Sequence, residues 1–143
     1  FNWEGFSLVK SVLSIFIALL ISLIGYSRDL NAISIPIPSK KYKHAWYKFY
    51  CYIEKDAFKE GWSRDRIIQE IRGNDYPAFS GGCSEIYLEK CFQNSGIFPK
   101  ERLKVARNLG ESSLMFLVHP TINESQMYTY AEVVKEIIKQ SLR

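Results

Sequence analysis

The run Ser113-Leu114-Met115-Phe116-Leu117-Val118 decides the fold of this chain. It is continuous, almost wholly apolar, of strand length and closed by Pro120, so it predicts a buried strand. The sequence on either side is helical in pattern. Leu103, Val105, Ala106 and Leu109 predict a short helix that ends at Gly110. Thr121-x-x-Glu124 has the form of a capping box, opening a last amphipathic helix with Met127, Ala131, Val134, Ile137 and Ile138 on its core stripe. Lys135, Lys139 and Arg143 sit near the end of that helix, where its dipole favours cations.

Working outward, His44-Ala45-Trp46-Tyr47-Lys48-Phe49-Tyr50-Cys51-Tyr52-Ile53 is rich in aromatics and predicts a second strand. Ile33-Ser34-Ile35-Pro36-Ile37-Pro38 alternates but carries two prolines, which suits an extended connector or an edge strand. Ser63 is a good N-cap, Asp65 follows in the first turn, and Ile67, Ile68 and Ile71 make one apolar helical face, stopped by Gly73-Asn74. A short strand from Tyr76 to Ser80 meets the turn Gly81-Gly82. Ser84 or a neighbour then caps a further helix bearing Ile86, Tyr87, Lys90 and Cys91. Asn94-Ser95-Gly96 marks a loop. The resulting order is strand, helix, strand, helix, helix, strand, helix. It predicts an α+β fold, a small and mostly antiparallel sheet with helices on one face.

Composition sets outer limits. The 143 residues are 47% hydrophobic and 24% charged, a globular balance that excludes a disordered tail, a collagenous repeat and a coiled-coil rod. A net charge of +4 is too small and scattered to argue for nucleic acid. Cys51, Cys83 and Cys91 are odd in number and lack C-x-x-C spacing, against a disulfide framework or a zinc site and in favour of a reducing, cytoplasmic setting.

Residues 1–30 stand apart. Ser11 to Tyr26 is uncharged, but sixteen residues of helix span about 24 Å, short of the ~30 Å of a bilayer core. Glu4 and the lack of an A-x-A-like site disfavour a secretory signal. A buried or interface helix is the first expectation, with membrane association through residues 11–26 the second. The start at Phe1-Asn2-Trp3 without an initiator methionine suggests processing or a piece of a longer protein.

Single candidates for chemistry are sparse. His44 and His119 lie at strand ends without a third ligand. Cys83 lies before the expected helix, whose dipole would lower a thiol pKa. Glu85 and Glu89, one helical turn apart, suit acid–base work or surface ion pairing. In Phe79-Ser80-Gly81-Gly82-Cys83-Ser84-Glu85, bare backbone amides can face an anion or polar ligand edge, although an ordinary strand–helix turn has the same spacing. Lys40, Lys41, Lys43, Trp46, Tyr47 and Lys48 match a strand with aromatics inward and lysines outward as well as they match a nucleic-acid footprint.

Taken together, HAWYKFY (44–50), GWSRDRIIQEI (61–71), FSGGCSEIYLEKCF (79–92) and ERLKVARNLGESSLMFLVHPT (101–121) resemble, in order, the C-terminal part of the DegT/DnrJ-type aminotransferases. These pyridoxal-phosphate (PLP) enzymes aminate nucleotide-linked keto-sugars. The resemblance covers roughly residues 31–143, leaving 1–30 as a separate apolar segment.

The resemblance implies the small C-terminal domain of a fold-type I enzyme. A large domain would carry the Schiff-base lysine, and the enzyme would be a homodimer. No lysine here stands in the Schiff-base context, so by resemblance the chain alone neither binds PLP nor transaminates. The loop Tyr76–Gly81 lacks the histidine of the family's Tyr-x-Pro-x-His pattern. Ser80, Gly81, Gly82, Cys83 and Tyr87 fall on the family's substrate side, which implies contact with the nucleotide-sugar. No residue is assigned a catalytic or metal-binding role. The competing expectation is a non-catalytic interaction module, tethered to a membrane by its apolar run.

Overall fold

The structure, a computed structural model, describes residues 32–36, 38–42, 48–93, 96, 99–118 and 121–143. The predicted strand at 113–118 is the inner strand β4 (Ser113–Leu117), and Lys48–Ile53 forms β2 beside it. Two-residue strands flank them: β1 (Ile33–Ser34) outside β2 and β3 (Ala78–Phe79) outside β4. The order is β1-β2-β4-β3, antiparallel throughout.

Register explains the layering. Phe49 stands opposite Phe116 and Cys51 opposite Leu114, so these four share one face of the pleat and all are fully buried. Against that face pack α1 (Arg64–Gly73), through Ile67, Ile68 and Ile71, and α4 (Glu124–Ser141), through Met127, Tyr130, Ala131, Val134, Ile137 and Ile138. The stripe expected on the last helix is the buried one. The opposite face carries Tyr50 facing Met115 and Tyr52 facing Ser113.

Caps set the helix limits. The Ser63 hydroxyl accepts the Arg66 amide, and Asn74 closes the other end of α1, both as expected. In α4 the box is shifted: Asn123 accepts the Gln126 amide while the Gln126 side chain accepts the Asn123 amide. Thr121 and Glu124 therefore do not form the box.

Two further expectations are overturned. No helix follows the glycine turn directly; Ile86–Leu88 is a single 3-10 turn, and α2 (Lys90–Gln93) is only four residues long. Gly110 does not end α3 (Lys104–Ser112) but lies within it. His44 and His119, the Lys43–Tyr47 part of the second strand's approach and the apolar run 11–26 lie outside the described residues. Among the described residues no helix is long and apolar enough to cross a membrane.

Candidate functional site

The entry to the Ser80-Gly81-Gly82 turn is held at several points. Upstream, Tyr76 stacks on Tyr130 at 4.9 Å between ring centres, and the Tyr130 hydroxyl donates to the Pro77 carbonyl. Burial drives the Tyr130 phenol well above its ordinary pKa, so it remains a donor. Arg72 Nε, from the last turn of α1, donates to the Ala78 carbonyl at 2.8 Å. The Ser113 hydroxyl donates to the Ser80 carbonyl at 2.5 Å.

Beneath the turn lies the ring of Tyr50. Gly81 has φ +93°, and a Cβ there would stand 2.7 Å from Tyr50 Cε1, so both backbone and space require glycine. Gly82 differs: nothing lies within 4 Å of where its Cβ would stand. The turn is closed toward the sheet at Gly81 and open outward at Gly82, flanked by exposed Ser80 and Cys83.

Cys83 and Tyr87 differ from expectation. With no helix beginning at residue 84, no helix dipole acts on the Cys83 thiol, and the lowering by a Glu85 backbone hydrogen bond is outweighed. Its Sγ donates to Glu89 Oε1 at 3.4 Å, and that carboxylate raises its pKa. The thiol is thus a poorer nucleophile than an isolated cysteine. The Tyr87 hydroxyl is occupied: it donates to Glu85 Oε1 at 2.6 Å and accepts the Leu103 amide at 3.0 Å.

Glu85 and Glu89 do not share a helical face. Glu85 accepts Arg102 Nε at 2.9 Å and pairs with the second guanidinium nitrogen. The Arg102 hydrogen bond, reinforced by that of Tyr87, holds the Glu85 carboxyl at about 2. It remains ionised at neutral pH, which suits a brace and not an acid–base catalyst. Tyr50, Ser113 and Arg102 are structural contributors that sequence reading missed. Only the alternation along β2, which turns Tyr50 away from Phe49 and Cys51, hinted at one of them.

None of the described lysines is buried. Lys55 pairs with Glu111, Lys135 with Glu132 and Lys139 with Glu136, while Lys59 donates to the Gln140 carbonyl. Among the described residues no cluster of three His, Cys, Asp or Glu side chains could hold a metal. An open groove of about 280 Å³ between Trp62 and Glu111 shares no residue with the turn.

No protein-family model matches the chain, and no curated protein matches it. Solved structures do. An aminotransferase from Psychrobacter cryohalolentis is 35% identical, with a TM-score of 0.84 over 95% of this chain and 35% of its own. A DegT DnrJ EryC1 StrS aminotransferase from Brucella abortus is 14% identical, with a TM-score of 0.63 over 91% of this chain and 31% of its own. A Streptococcus pneumoniae protein described as a sugar aminotransferase, solved in its PLP form, is 17% identical, with a TM-score of 0.68 over 96% of this chain and 33% of its own. At those two lower identities the likeness shows the fold. The chain spans about a third of the length of the structures it matches. The chain is thus similar to about a third of an aminotransferase at 35% identity, and it shares the fold of part of a DegT DnrJ EryC1 StrS aminotransferase.

Proposed function

We propose that this chain is the small-domain part of a PLP-dependent aminotransferase that acts on a nucleotide-linked keto-sugar in the cytoplasm. The observation that carries the reading is the 35% identity to the Psychrobacter aminotransferase over 95% of this chain. Residues 31–143 form the small domain, and residues 1–30 are a distinct apolar segment. The catalytic lysine belongs to a large domain, without which the chain is inactive, and the complete enzyme is a homodimer. When bound there, PLP supplies the electron sink for amino transfer.

In this reading the chain contributes orientation. Ser80, Gly81, Gly82 and Cys83 present a hydroxyl, two amides without side chains and a thiol toward the sugar, while the Tyr87 ring borders them. The braces from Ser113, Tyr50 and Tyr130 support the role, because a turn held at fixed geometry positions a substrate at lower entropic cost than a loose one.

A chimera tests the reading: the N-terminal two-thirds of the Psychrobacter enzyme joined to residues 31–143. The expected result is a PLP-binding protein that aminates a nucleotide-linked keto-sugar with glutamate as donor. Gly82→Val should raise its KM for the sugar and leave the glutamate half-reaction unchanged. A folded, PLP-loaded chimera that deaminates glutamate but aminates no such sugar would overturn the substrate class. The second reading, a non-catalytic module, rests on the apolar run 11–26 and predicts a chimera with neither half-reaction.

A further inference from the structure

Arg64 stands where a helix least favours a cation. It is the first residue of α1, directly after the Ser63 cap and at the positive end of the helix dipole. Its side chain is nevertheless only 14% exposed, and it reaches across to another helix. Nη1 donates to the Gly110 carbonyl at 2.9 Å and to the Ser113 carbonyl at 3.1 Å, while Nε donates to Asp65 Oδ1 at 2.6 Å. Gly110 lies in the last turn of α3, where the dipole favours positive charge. The unfavourable place on α1 is offset by charge-assisted bonds to carbonyls 46 and 49 residues away.

Ser113 connects this guanidinium to the glycine turn. α3 ends at Ser112 and β4 begins at Ser113, with no linker between them. The Ser113 amide donates to the Leu109 carbonyl, its carbonyl accepts Arg64, and its hydroxyl donates to the Ser80 carbonyl. The same hydroxyl lies 3.5 Å from where a Cβ on Gly81 would stand. Ser113 is buried, so water competes little for these bonds. Carbonyl and hydroxyl belong to one residue, and a change in where the carbonyl is held carries the hydroxyl with it.

We propose that Arg64 is a positioning residue for the Ser80-Gly81-Gly82 turn, acting through Ser113. The path is two hydrogen bonds long: guanidinium to the Ser113 carbonyl, then Ser113 hydroxyl to the Ser80 carbonyl. It ties the start of α1 to the turn across the junction of α3 and β4. The inference rests on the functional reading above for what the turn contacts. It adds a residue that sets where the Gly81 and Gly82 amides point. Small displacements of an orienting group are costly in rate, so a support at one remove from the substrate still bears on turnover.

The test uses the full 143-residue chain and follows the amide resonances of Gly81 and Gly82. Arg64→Met should shift both. In a Ser113→Ala background the same substitution should leave them where Ser113→Ala puts them, because the path has lost its hydroxyl. Arg143→Met is the control: it removes a part-buried bond of the same kind, Nε to the Phe58 carbonyl at 2.9 Å, and should move neither resonance. Where Arg64→Met does not fold, Asp65→Asn takes its place. That change loosens the guanidinium from a position 73% exposed and should shift the same resonances by a smaller amount. Unmoved glycine amides, equal shifts with and without the Ser113 hydroxyl, or equal shifts from Arg143→Met each overturn the proposal. In the chimera carrying residues 31–143, Arg64→Met should raise KM for the sugar more than it lowers kcat. Shifted resonances with an unchanged KM uphold the positioning by Arg64 and overturn instead the turn's contact with the sugar.

Discussion

Ser84 occupies the space in which a side chain at Gly110 would begin: a Cβ there would lie 1.9 Å from Ser84 Oγ and 3.0 Å from its Cβ. The contact presses residues 84–88 against α3. Glycine inside a helix costs about 1 kcal/mol relative to alanine, so the close approach is maintained against local propensity. Gly110→Ala should therefore shift the 84–88 segment, seen as changed amide resonances at Glu85 and Tyr87. Adding Ser84→Gly should relieve the clash and raise the urea-derived stability of Gly110→Ala. A single Gly110→Ala without resonance changes at 84–88 would show that the contact carries no constraint.

Gly81 and Gly82 separate backbone strain from open space. Gly81→Ala places a Cβ at positive φ and onto the Tyr50 ring, with an expected loss of about 1–3 kcal/mol. Gly82→Ala meets nothing and should change stability by less than about 0.5 kcal/mol. Urea midpoints of the two variants provide the comparison. In Tyr50→Ala the Gly81→Ala penalty should shrink, because the steric part is removed while the dihedral part remains.

The Glu85–Arg102 brace should be visible as pH dependence. The folded carboxyl titrates at about 2, below its ordinary value of 4.5. Its contribution is therefore present above pH 4.5 and is lost as pH falls toward 2. Arg102→Met should lower the urea midpoint at pH 6, and its gap from wild type should close over that window. A gap that stays constant down to pH 2 would assign the effect to packing of the arginine stem.

Cysteine reactivity reports the layering. Cys51 is wholly buried and desolvation pushes its thiol up to about 12, whereas Cys83 and Cys91 are exposed. Native protein should present two thiols to an aromatic disulfide reagent and unfolded protein three. Glu89→Gln should speed labelling of Cys83 at pH 8 by removing the carboxylate that raises its pKa. Labelling of all three thiols under native conditions would mean that the sheet–helix core opens readily.

The α4 capping box makes a fifth contrast. Asn123→Ala removes the side chain that accepts the Gln126 amide and should cost about 1 kcal/mol. Thermal or urea unfolding of this variant checks that Asn123 begins the helix.

These results also show where sequence was a sufficient guide. α1 and α4 were legible because isoleucines and valines recur at helical spacing and because Ser63 and Asn74 are local signals. β2 and β4 were legible because aromatic and aliphatic runs of strand length leave no alternative. The box at 121–124 was misread because two overlapping polar pairs fit one pattern, and only the backbone at Asn123 distinguishes them. The helix expected after Gly82 failed for a non-local reason. Glu85 and Tyr87 are drawn to Arg102 and Leu103, sixteen or seventeen residues away, and Glu89 turns extended. The same distance hid the braces of the turn: Tyr50 and Ser113 are remote from Gly81 in sequence and reach it only through the register of β2 and β4.

The two outer strands have a consequence for how this sheet meets other chains. The inner strands are six and five residues long, but β1 and β3 offer two residues each. An invading strand needs a run of unpaired amides and carbonyls to copy, and these edges are too short to template one. Among the described residues, neither outer strand can by itself serve as the template on which a further strand grows.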